Sequence, residues 1–269
     1  MSKKRVVKMT QFSILSPLAV MLAICIAGQD AHAAAPTAGA APATASPGAA
    51  AIEKAAKDNK FLFIFFWKDD TQHSRVMRGV FQAALAKLTD AAQSVEIRTE
   101  DPAEQPIVAR YGVSRAPMPL VLALAPNGAI TKGLPTQFDD NQIRQAFVSR
   151  GTAGCMKALQ DRKFVLLCVR QSSAQGAAAA IPAGVKNFAA DPQYAPYTKV
   201  EVLNPGDPAE TSFLKSLQVD PHTAVAVTLL MVPPGFVAGT FAGDVSKEEL
   251  VARLKAAQAS CGPGCACHH

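Results

Sequence analysis

Several motifs that identify common enzyme classes are missing from this 269-residue sequence. It contains no phosphate-binding Gly-rich loop, no dinucleotide-binding fingerprint and no recognisable nucleophile–base–acid triad. Charged residues make up only 18% of the chain, whereas hydrophobic residues make up 49%. This balance excludes an intrinsically disordered protein and predicts a globular chain with one large or two medium hydrophobic cores.

The N-terminus has the pattern of a signal peptide over residues 1–33. Four cations within residues 3–8 precede an apolar run over residues 12–28, and the Ala-His-Ala of residues 31–33 matches a signal peptidase site. The run is short for a membrane span, so we expect cleavage after Ala33, a periplasmic or secreted protein and no stable span after cleavage. Retention of the leader as an anchor is the alternative. Cleavage lowers the formal net charge from +6 to +3, which does not indicate a nucleic-acid partner.

Cysteine is scarce outside the C-terminus. Loss of the leader removes Cys25, and only Cys155 and Cys168 then precede the last nine residues. The five remaining cysteines are an odd number, which in an exported protein leaves at least one thiol free, metal-bound or paired with another molecule. No conventional disulfide scaffold is predicted. Cys168 lies in an apolar strand and is interpreted as an inert core thiol, whereas Cys155 is a candidate for exposure.

Composition divides the rest of the chain into four segments. Residues 34–50 are nearly all Ala, Pro, Thr, Gly and Ser and are predicted to be an unfolded linker. Helical and strand patterns then alternate, and the order α-β-α-β-α-β-β-α occurs twice, over residues 51–150 and 151–259. A Cys/His-rich tail occupies residues 260–269.

Local sequence similarity between the two halves indicates a tandem duplication. Residues 59–63 (Asn-Lys-Phe-Leu-Phe) match residues 162–166 (Arg-Lys-Phe-Val-Leu) at a spacing of 103 residues. The continuous apolar run Phe61–Trp67 predicts a strand buried on both faces. At the other end of the chain, Ser246 and Glu249 form a capping box for the last predicted helix.

Three short stretches of the first half resemble the thioredoxin fold family. Phe65-Phe66-Trp67 resembles the Phe-Trp that ends the strand before a thioredoxin active site, and Pro126-Asn127-Gly128 resembles the hairpin turn. The stretch from Tyr111 to Pro117 resembles the segment that leads to the cis-proline, so Pro117 is its expected counterpart. The resemblance implies an α/β protein of two tandem thioredoxin-like domains, each with three layers, α/β/α, around a central mixed sheet. The second domain resembles the family by pattern alone.

The thiols that the resemblance would imply are absent from both halves. Thioredoxins have Cys-x-x-Cys at the start of the helix that follows the Phe-Trp strand, and this chain has Thr71 and Ser74 there. Neither hydroxyl can form a disulfide, so the resemblance excludes thiol–disulfide exchange at this site. The corresponding residues of the second half are Ala174 and Ala177, with Thr223 at its cis-proline position.

The first-half site has two main interpretations. Thr71 or Ser74 caps the helix and His73 is solvated. Alternatively, the thioredoxin groove persists as a peptide-binding surface. In that case Trp67 is a flat apolar contact near His73, and the backbone next to Pro117 offers strand-type hydrogen bonds.

A third interpretation makes Asp69, Asp70 and His73 a metal or acid–base cluster. Adjacent aspartates before a helix are more commonly capping charges, so this interpretation is the least favoured of the three.

The densest remaining chemistry lies in the last nine residues, Cys-Gly-Pro-Gly-Cys-Ala-Cys-His-His. Thiolate and imidazole groups are preferred ligands of zinc and copper(I). The predicted metal ligands are Cys261, Cys265, Cys267, His268 and His269. The stretch from Cys261 to Cys265 also resembles a thioredoxin Cys-Gly-Pro-Cys with one Gly inserted. It follows a helix end, however, so its position does not imply a low thiol pKa.

The sequence therefore predicts a non-enzymatic exported protein that handles a soft metal ion, zinc or copper(I), or a protein or peptide partner in the cell envelope. A thiol–disulfide oxidoreductase that uses Cys261 and Cys265 is the alternative. A protein-interaction scaffold with an incidental tail is the second alternative.

Overall fold

The computed structural model describes residues 46–170, 181–220, 222 and 225–260. In the first half the helices and strands are α1 (Pro47–Lys57), β1 (Phe61–Trp67), α2 (Gln72–Leu85), β2 (Ala92–Arg98), α3 (Gln105–Arg110), β3 (Leu120–Leu124), β4 (Ile130–Pro135) and α4 (Asp140–Arg144). In the second half they are α5 (Arg150–Gln160), β5 (Phe164–Val169), α6 (Ala183–Ala190), β6 (Thr198–Leu203), α7 (Thr211–Ser216), β7 (Val227–Val232), β8 (Phe236–Ala242) and α8 (Lys247–Ser260). The predicted signal peptide lies outside the described residues.

Each half forms one four-stranded mixed sheet. The strand orders are β2-β1-β3-β4 and β6-β5-β7-β8. In both sheets the central strand pairs in parallel with one neighbour and antiparallel with the other, which continues into a hairpin. The predicted fold, two tandem thioredoxin-like α/β domains, is confirmed.

The central strand of each sheet is buried on both faces. Phe63 and Phe65 of β1 lie in a core beneath α2 and α4, whereas Ile64 and Phe66 lie in a second core beneath α1 and α3. β5 likewise divides its side chains between two cores. Burial of each such side chain contributes about 1.5–3 kcal/mol, so helices are needed on both sides of the sheet.

A repeated sequence, Asp-Pro-Ala-Glu, anchors the first helix of each half. It lies between β2 and α3 and again between β6 and α7, and its glutamates are buried. Glu104 accepts a hydrogen bond from the Gly48 N–H at 2.9 Å, and Glu210 accepts one from the Thr152 hydroxyl at 2.8 Å. The carboxylates have room because Gly48 and Gly151 lack a side chain, and a Cβ on Gly151 would lie 2.9 Å from Glu210. A negative charge at a helix N-terminus is stabilised by the helix dipole.

The first helix of each half begins earlier than the sequence predicts. α1 begins at Pro47, inside the segment predicted to be an unfolded linker, because Ser46 caps it and proline suits a first turn. α5 begins at Arg150, one residue before the predicted second segment, with Ser149 as its N-cap. The predicted capping box of α8 is confirmed.

The two domains meet where α5 lies beside the β3–β4 hairpin. The Asn127 side chain donates to the Ala153 carbonyl at 2.9 Å. The Gln160 side-chain amide donates to the Ile130 carbonyl at 2.7 Å and accepts from the Ile130 N–H at 2.9 Å. Three buried alanines form the apolar part of this contact: Ala125, Ala129 and Ala153. A cleft of about 1010 Å³ opens beside it.

Within the described ranges, no helix combines the length and the apolar character that crossing a bilayer requires.

The buried glutamate of the second domain gives a stability prediction. Thr152→Val keeps the shape of the side chain but leaves a Glu210 oxygen, in a residue only 5% exposed, without its donor. We expect the free energy of unfolding to fall by about 1–3 kcal/mol, measured by urea denaturation. Thr89→Val, at an exposed position before β2, is the control and should change it by less than about 0.5 kcal/mol. Equal effects of the two variants would contradict the anchoring role.

Candidate functional site

α2 begins where a thioredoxin-like fold would carry its two thiols. Thr71 is the N-cap, and its hydroxyl oxygen accepts a hydrogen bond from the Ser74 N–H at 3.1 Å. The Thr71 hydroxyl also donates to the Ser74 hydroxyl oxygen at 3.1 Å. Thr71 is exposed, whereas Ser74 is buried. Thr71 therefore caps α2.

His73 connects α2 to the segment that follows β4. Its Nε2 lies 2.9 Å from the carbonyl oxygen of Thr136. A carbonyl only accepts, so Nε2 carries the proton. Thr136 in turn donates its N–H to the carbonyl of Pro119 at 2.7 Å. His73 is exposed, but it is also hydrogen-bonded to the loop that packs against the proline turn.

The cis-proline is Pro119, and the prediction of Pro117 is wrong. The cis peptide bond joins Met118 to Pro119, directly before β3. The resemblance of the segment from Tyr111 onward predicts Pro117. A 3-10 helix over Val113–Arg115 and a longer approach to the strand place a second proline next to β3 instead. Pro117 is exposed in front of it.

Trp67 lies at the end of β1 beneath two guanidinium groups. The guanidinium carbon of Arg78 is 4.8 Å from the indole centroid, and that of Arg98 is 5.6 Å away. Arg78 is itself held by Glu96 at 2.9 Å. The indole is half-buried against the core beneath α2, and no contact among the described residues joins it to His73. The place of Trp67 in a groove with His73 stays a prediction.

The proposed Asp69, Asp70 and His73 cluster does not form. Asp70 is ion-paired with Arg75 at 3.3 Å and with Arg78 at 3.2 Å. His73 is turned toward a backbone carbonyl. In the parts of the chain that the structure describes, no three His, Cys, Asp or Glu residues could hold a metal ion together.

An exposed apolar side chain lies beside His73. Val76 follows it by three residues on α2, a spacing that places both on one helix face, and it is 55% exposed. The sequence does not single out Val76, because its fourfold spacing with Val80 and Ala84 is typical of a core-facing helix stripe. Nor does it single out Thr136, because only the folded chain brings that residue to α2.

Comparisons with known proteins bear on the fold alone. No family model and no curated protein matches the chain. Among solved structures, the first two thioredoxin domains of Naumovozyma dairenensis Eps1p are 10% identical, with 83% of this chain and 98% of that one covered, at a TM-score of 0.29. The zinc-bound form of human ERp44 is 12% identical, with 79% and 59% covered, at 0.33. Thioredoxin O2 from Arabidopsis thaliana is 14% identical, with 35% and 78% covered, at 0.30.

Because these identities and TM-scores are low, the assignment rests on the strand order of both sheets and on the cis-proline before β3. Both halves are thioredoxin-like domains. The sheet order places the α2 N-terminus and the cis-proline turn of the first thioredoxin-like domain together, as the contacts through Thr136 show.

The second thioredoxin-like domain has no proline at the equivalent position. The Gly243 N–H donates to the Ala226 carbonyl at 2.7 Å, as the equivalent pair does in the first domain. Ala226 therefore stands where the first domain has its cis-proline. The residues predicted for this site, Thr223, Ala174 and Ala177, lie outside the described residues.

The two described cysteines both lie in the second domain, and both are free and buried. Cys155 and Cys168 lie in cores on opposite faces of the second sheet and do not pair. Burial and, less strongly, the carboxylates of Glu201 and Glu210 raise the pKa of Cys155 to about 12. Burial also raises the pKa of Cys168. The core position of Cys168 is confirmed, the exposure expected for Cys155 is wrong, and both thiols stay protonated near neutral pH.

The predicted metal ligands of the tail lie outside the described residues, which end at Ser260. The metal site at Cys261, Cys265, Cys267, His268 and His269 stays a prediction.

The geometry of α2 gives a direct test of the site. The hydroxyl oxygens of Thr71 and Ser74 are 3.1 Å apart, so sulfur atoms placed there can bond. We expect Thr71→Cys/Ser74→Cys, in a chain whose three tail cysteines are replaced by serine, to form an intramolecular disulfide. It should also gain insulin-disulfide reduction. Thiol counting by mass spectrometry checks the first outcome.

Thr71→Cys alone, in the same background, is the matched control and should gain neither property. A double variant that stays fully reduced after oxidation would show that these two positions are not the thiol site of the fold.

Proposed function

We propose that this chain is an exported binding protein built on two thioredoxin-like domains that carry out no thiol–disulfide exchange. The first domain offers the surface around His73 and the cis-proline turn to a peptide segment of a partner protein. The C-terminal tail binds a soft metal ion. One observation carries the proposal: the exposed and buried positions at the start of α2 hold hydroxyls in hydrogen-bond contact instead of thiols.

The hydroxyls of this site are also poorly placed for nucleophilic catalysis. A serine or threonine nucleophile needs a base within hydrogen-bond reach. The Thr71 hydroxyl donates to Ser74, and the nearby His73 ring donates through Nε2 to the Thr136 carbonyl. Neither hydroxyl has the imidazole as its acceptor in this arrangement. Binding is therefore favoured over covalent chemistry.

The surface next to α2 has features that suit an extended peptide. Val76 is an exposed apolar contact beside His73, and the cis-proline turn at Met118 and Pro119 precedes a strand of the sheet. Extended ligands bind such surfaces through backbone hydrogen bonds and side-chain pockets. The guanidinium groups of Arg78 and Arg98 lie over the Trp67 ring. Val76 is therefore proposed as the apolar contact for the peptide.

The tail is proposed to hold the metal because the two domains offer no available thiol in their described part. The thiols of Cys155 and Cys168 are buried and protonated, whereas metal-bound cysteine is a thiolate. The tail supplies three thiols and two imidazoles within nine residues. Four of these are enough for a tetrahedral zinc site, and two or three thiolates suit copper(I).

Metal titration tests the proposal. We expect the reduced mature chain, residues 34–269, to bind about one equivalent of zinc or copper(I). Replacing the three tail cysteines by serine should abolish this binding. Isothermal titration and metal analysis after dialysis measure it. Binding should weaken as the pH falls, because protons compete for thiolate and imidazole ligands.

The control variant is Cys155→Ser, which removes a thiol from the core and should leave the metal stoichiometry of the folded chain unchanged. Equal uptake by the wild type and the tail variant would refute a metal-binding tail. Insulin reduction that is lost on Cys261→Ser or Cys265→Ser would favour the oxidoreductase alternative. Partner binding that is weakened by Val76→Asp, in a chain whose tail takes up no metal, would favour the scaffold alternative.

A further inference from the structure

The edge strand β8 lacks the protection that the other sheet edges have. Four strands form the edges of the two sheets: β2, β4, β6 and β8. Charged residues occur in the first three, for example Glu96, Lys132 and Lys199. β8, Phe-Val-Ala-Gly-Thr-Phe-Ala, has neither a charge nor a proline. Proteins usually protect exposed edges with charge, proline, a bulge or a cover. β8 has only the bulge at Ala238, so its residues before the bulge are open to a pairing partner.

The edge strands β4 and β8 occupy the same place in the two domains. Ile130 of β4 pairs with Leu124, and Val237 of β8 pairs with Met231. In both hairpins a bulge follows at the next residue of the edge strand. Val237 is therefore the equivalent of Ile130, and both residues present the same backbone groups at the sheet edge.

In the first domain these groups are already satisfied. The Gln160 amide donates to the carbonyl of Ile130 at 2.7 Å and accepts from its N–H at 2.9 Å. Two facing residues of an antiparallel pair exchange the same two bonds. Gln160 of the second domain thus takes the place of a paired strand residue on β4.

In the second domain the equivalent surface is open. Phe236 is 66% exposed and Val237 is 39% exposed, whereas Ala129, the equivalent of Phe236, is fully buried beneath α5. Among the described residues, none outside the β7–β8 hairpin bonds to Val237. A large apolar side chain and two edge-facing backbone groups therefore lie together on this surface.

We propose that two copies of the chain pair through β8, about a two-fold axis beside Val237. Each Val237 then donates its N–H to the carbonyl of the other, and so makes the two bonds that Gln160 makes with Ile130. In this register Phe236 of each copy lies opposite Ala238 of the other, a large side chain against a small one. No charge on either strand opposes the pairing. The second-domain sheets of the two copies would then form one continuous sheet of eight strands.

A head-to-tail arrangement is less suited to this surface. By the 103-residue spacing of the repeats, Lys57 of α1 is the equivalent of Gln160. A lysine only donates and cannot accept the Val237 N–H, and Lys57 is already ion-paired with Glu53 at 2.8 Å. The first domain of a second copy therefore cannot repeat the contact that α5 makes. A closed two-fold dimer results, not an open chain.

Sedimentation velocity over a wide concentration range tests the proposal on the mature chain, residues 34–269, under reducing conditions. We expect a monomer–dimer equilibrium. Val237→Lys should raise the dimer dissociation constant by roughly tenfold or more, since two cations would then face each other across the strand pair. Val202→Lys is the matched control, because Val202 is 42% exposed on β6, the opposite edge of the same sheet. It should leave the constant unchanged.

Phe236→Glu is a second disrupting variant, with circular dichroism and thermal melting to confirm that each variant folds. A wild type that is monomeric at every concentration would overturn the proposal, as would a dimer that persists in both variants. Equal weakening by the Val202 substitution would place the interface elsewhere. Hydrogen exchange gives an independent readout: the Val237 amide should be protected at high concentration and exposed on dilution. Protection that is independent of concentration and lost on removal of residues 261–269 would assign this surface to the tail instead.

Discussion

The central strand of each domain needs cover on both faces, and most of the structure follows from this constraint. β1 and β5 carry large apolar side chains in alternation toward two cores, so helices must pack on both sides. The helix before each central strand is fixed by a buried glutamate from the next crossover, Glu104 or Glu210. The same helix of the second domain, α5, also holds the first domain through Gln160. α5 therefore completes the fold of the second domain and also joins the two domains.

Hydroxyl side chains occupy the two positions at the start of α2 where the resemblance would place thiols. A threonine at the exposed position accepts the capping hydrogen bond that the start of α2 requires, and a serine fills the buried position. The cis-proline turn is kept, and His73 binds it to α2 through Thr136. Under the proposed function, this surface without a thiol serves binding rather than exchange. In the second domain Ala226 occupies the position equivalent to the cis-proline of the first domain.

The elements that follow from local pattern could be predicted from the sequence, and those that depend on distant contacts could not. The run Phe61–Trp67 is apolar throughout, so its burial on both faces was predictable. The capping pair Ser246 and Glu249 was predictable because it is encoded within four residues. Choosing between Pro117 and Pro119 required the path of the chain into β3. The roles of Thr136 and Gln160 also depend on contacts across the fold, which spacing along the chain does not show.

The placement of the cysteines gives the clearest functional prediction of this structure. The cysteines of the two domains are buried in separate cores, and the positions at the start of α2 carry oxygen, so the two domains should have no thiol–disulfide activity of their own. Insulin reduction by the mature chain with its three tail cysteines replaced by serine measures this most directly. The account predicts a rate no higher than that of dithiothreitol alone. Catalysis above that background would contradict it, because it would require a reactive thiol within the two domains.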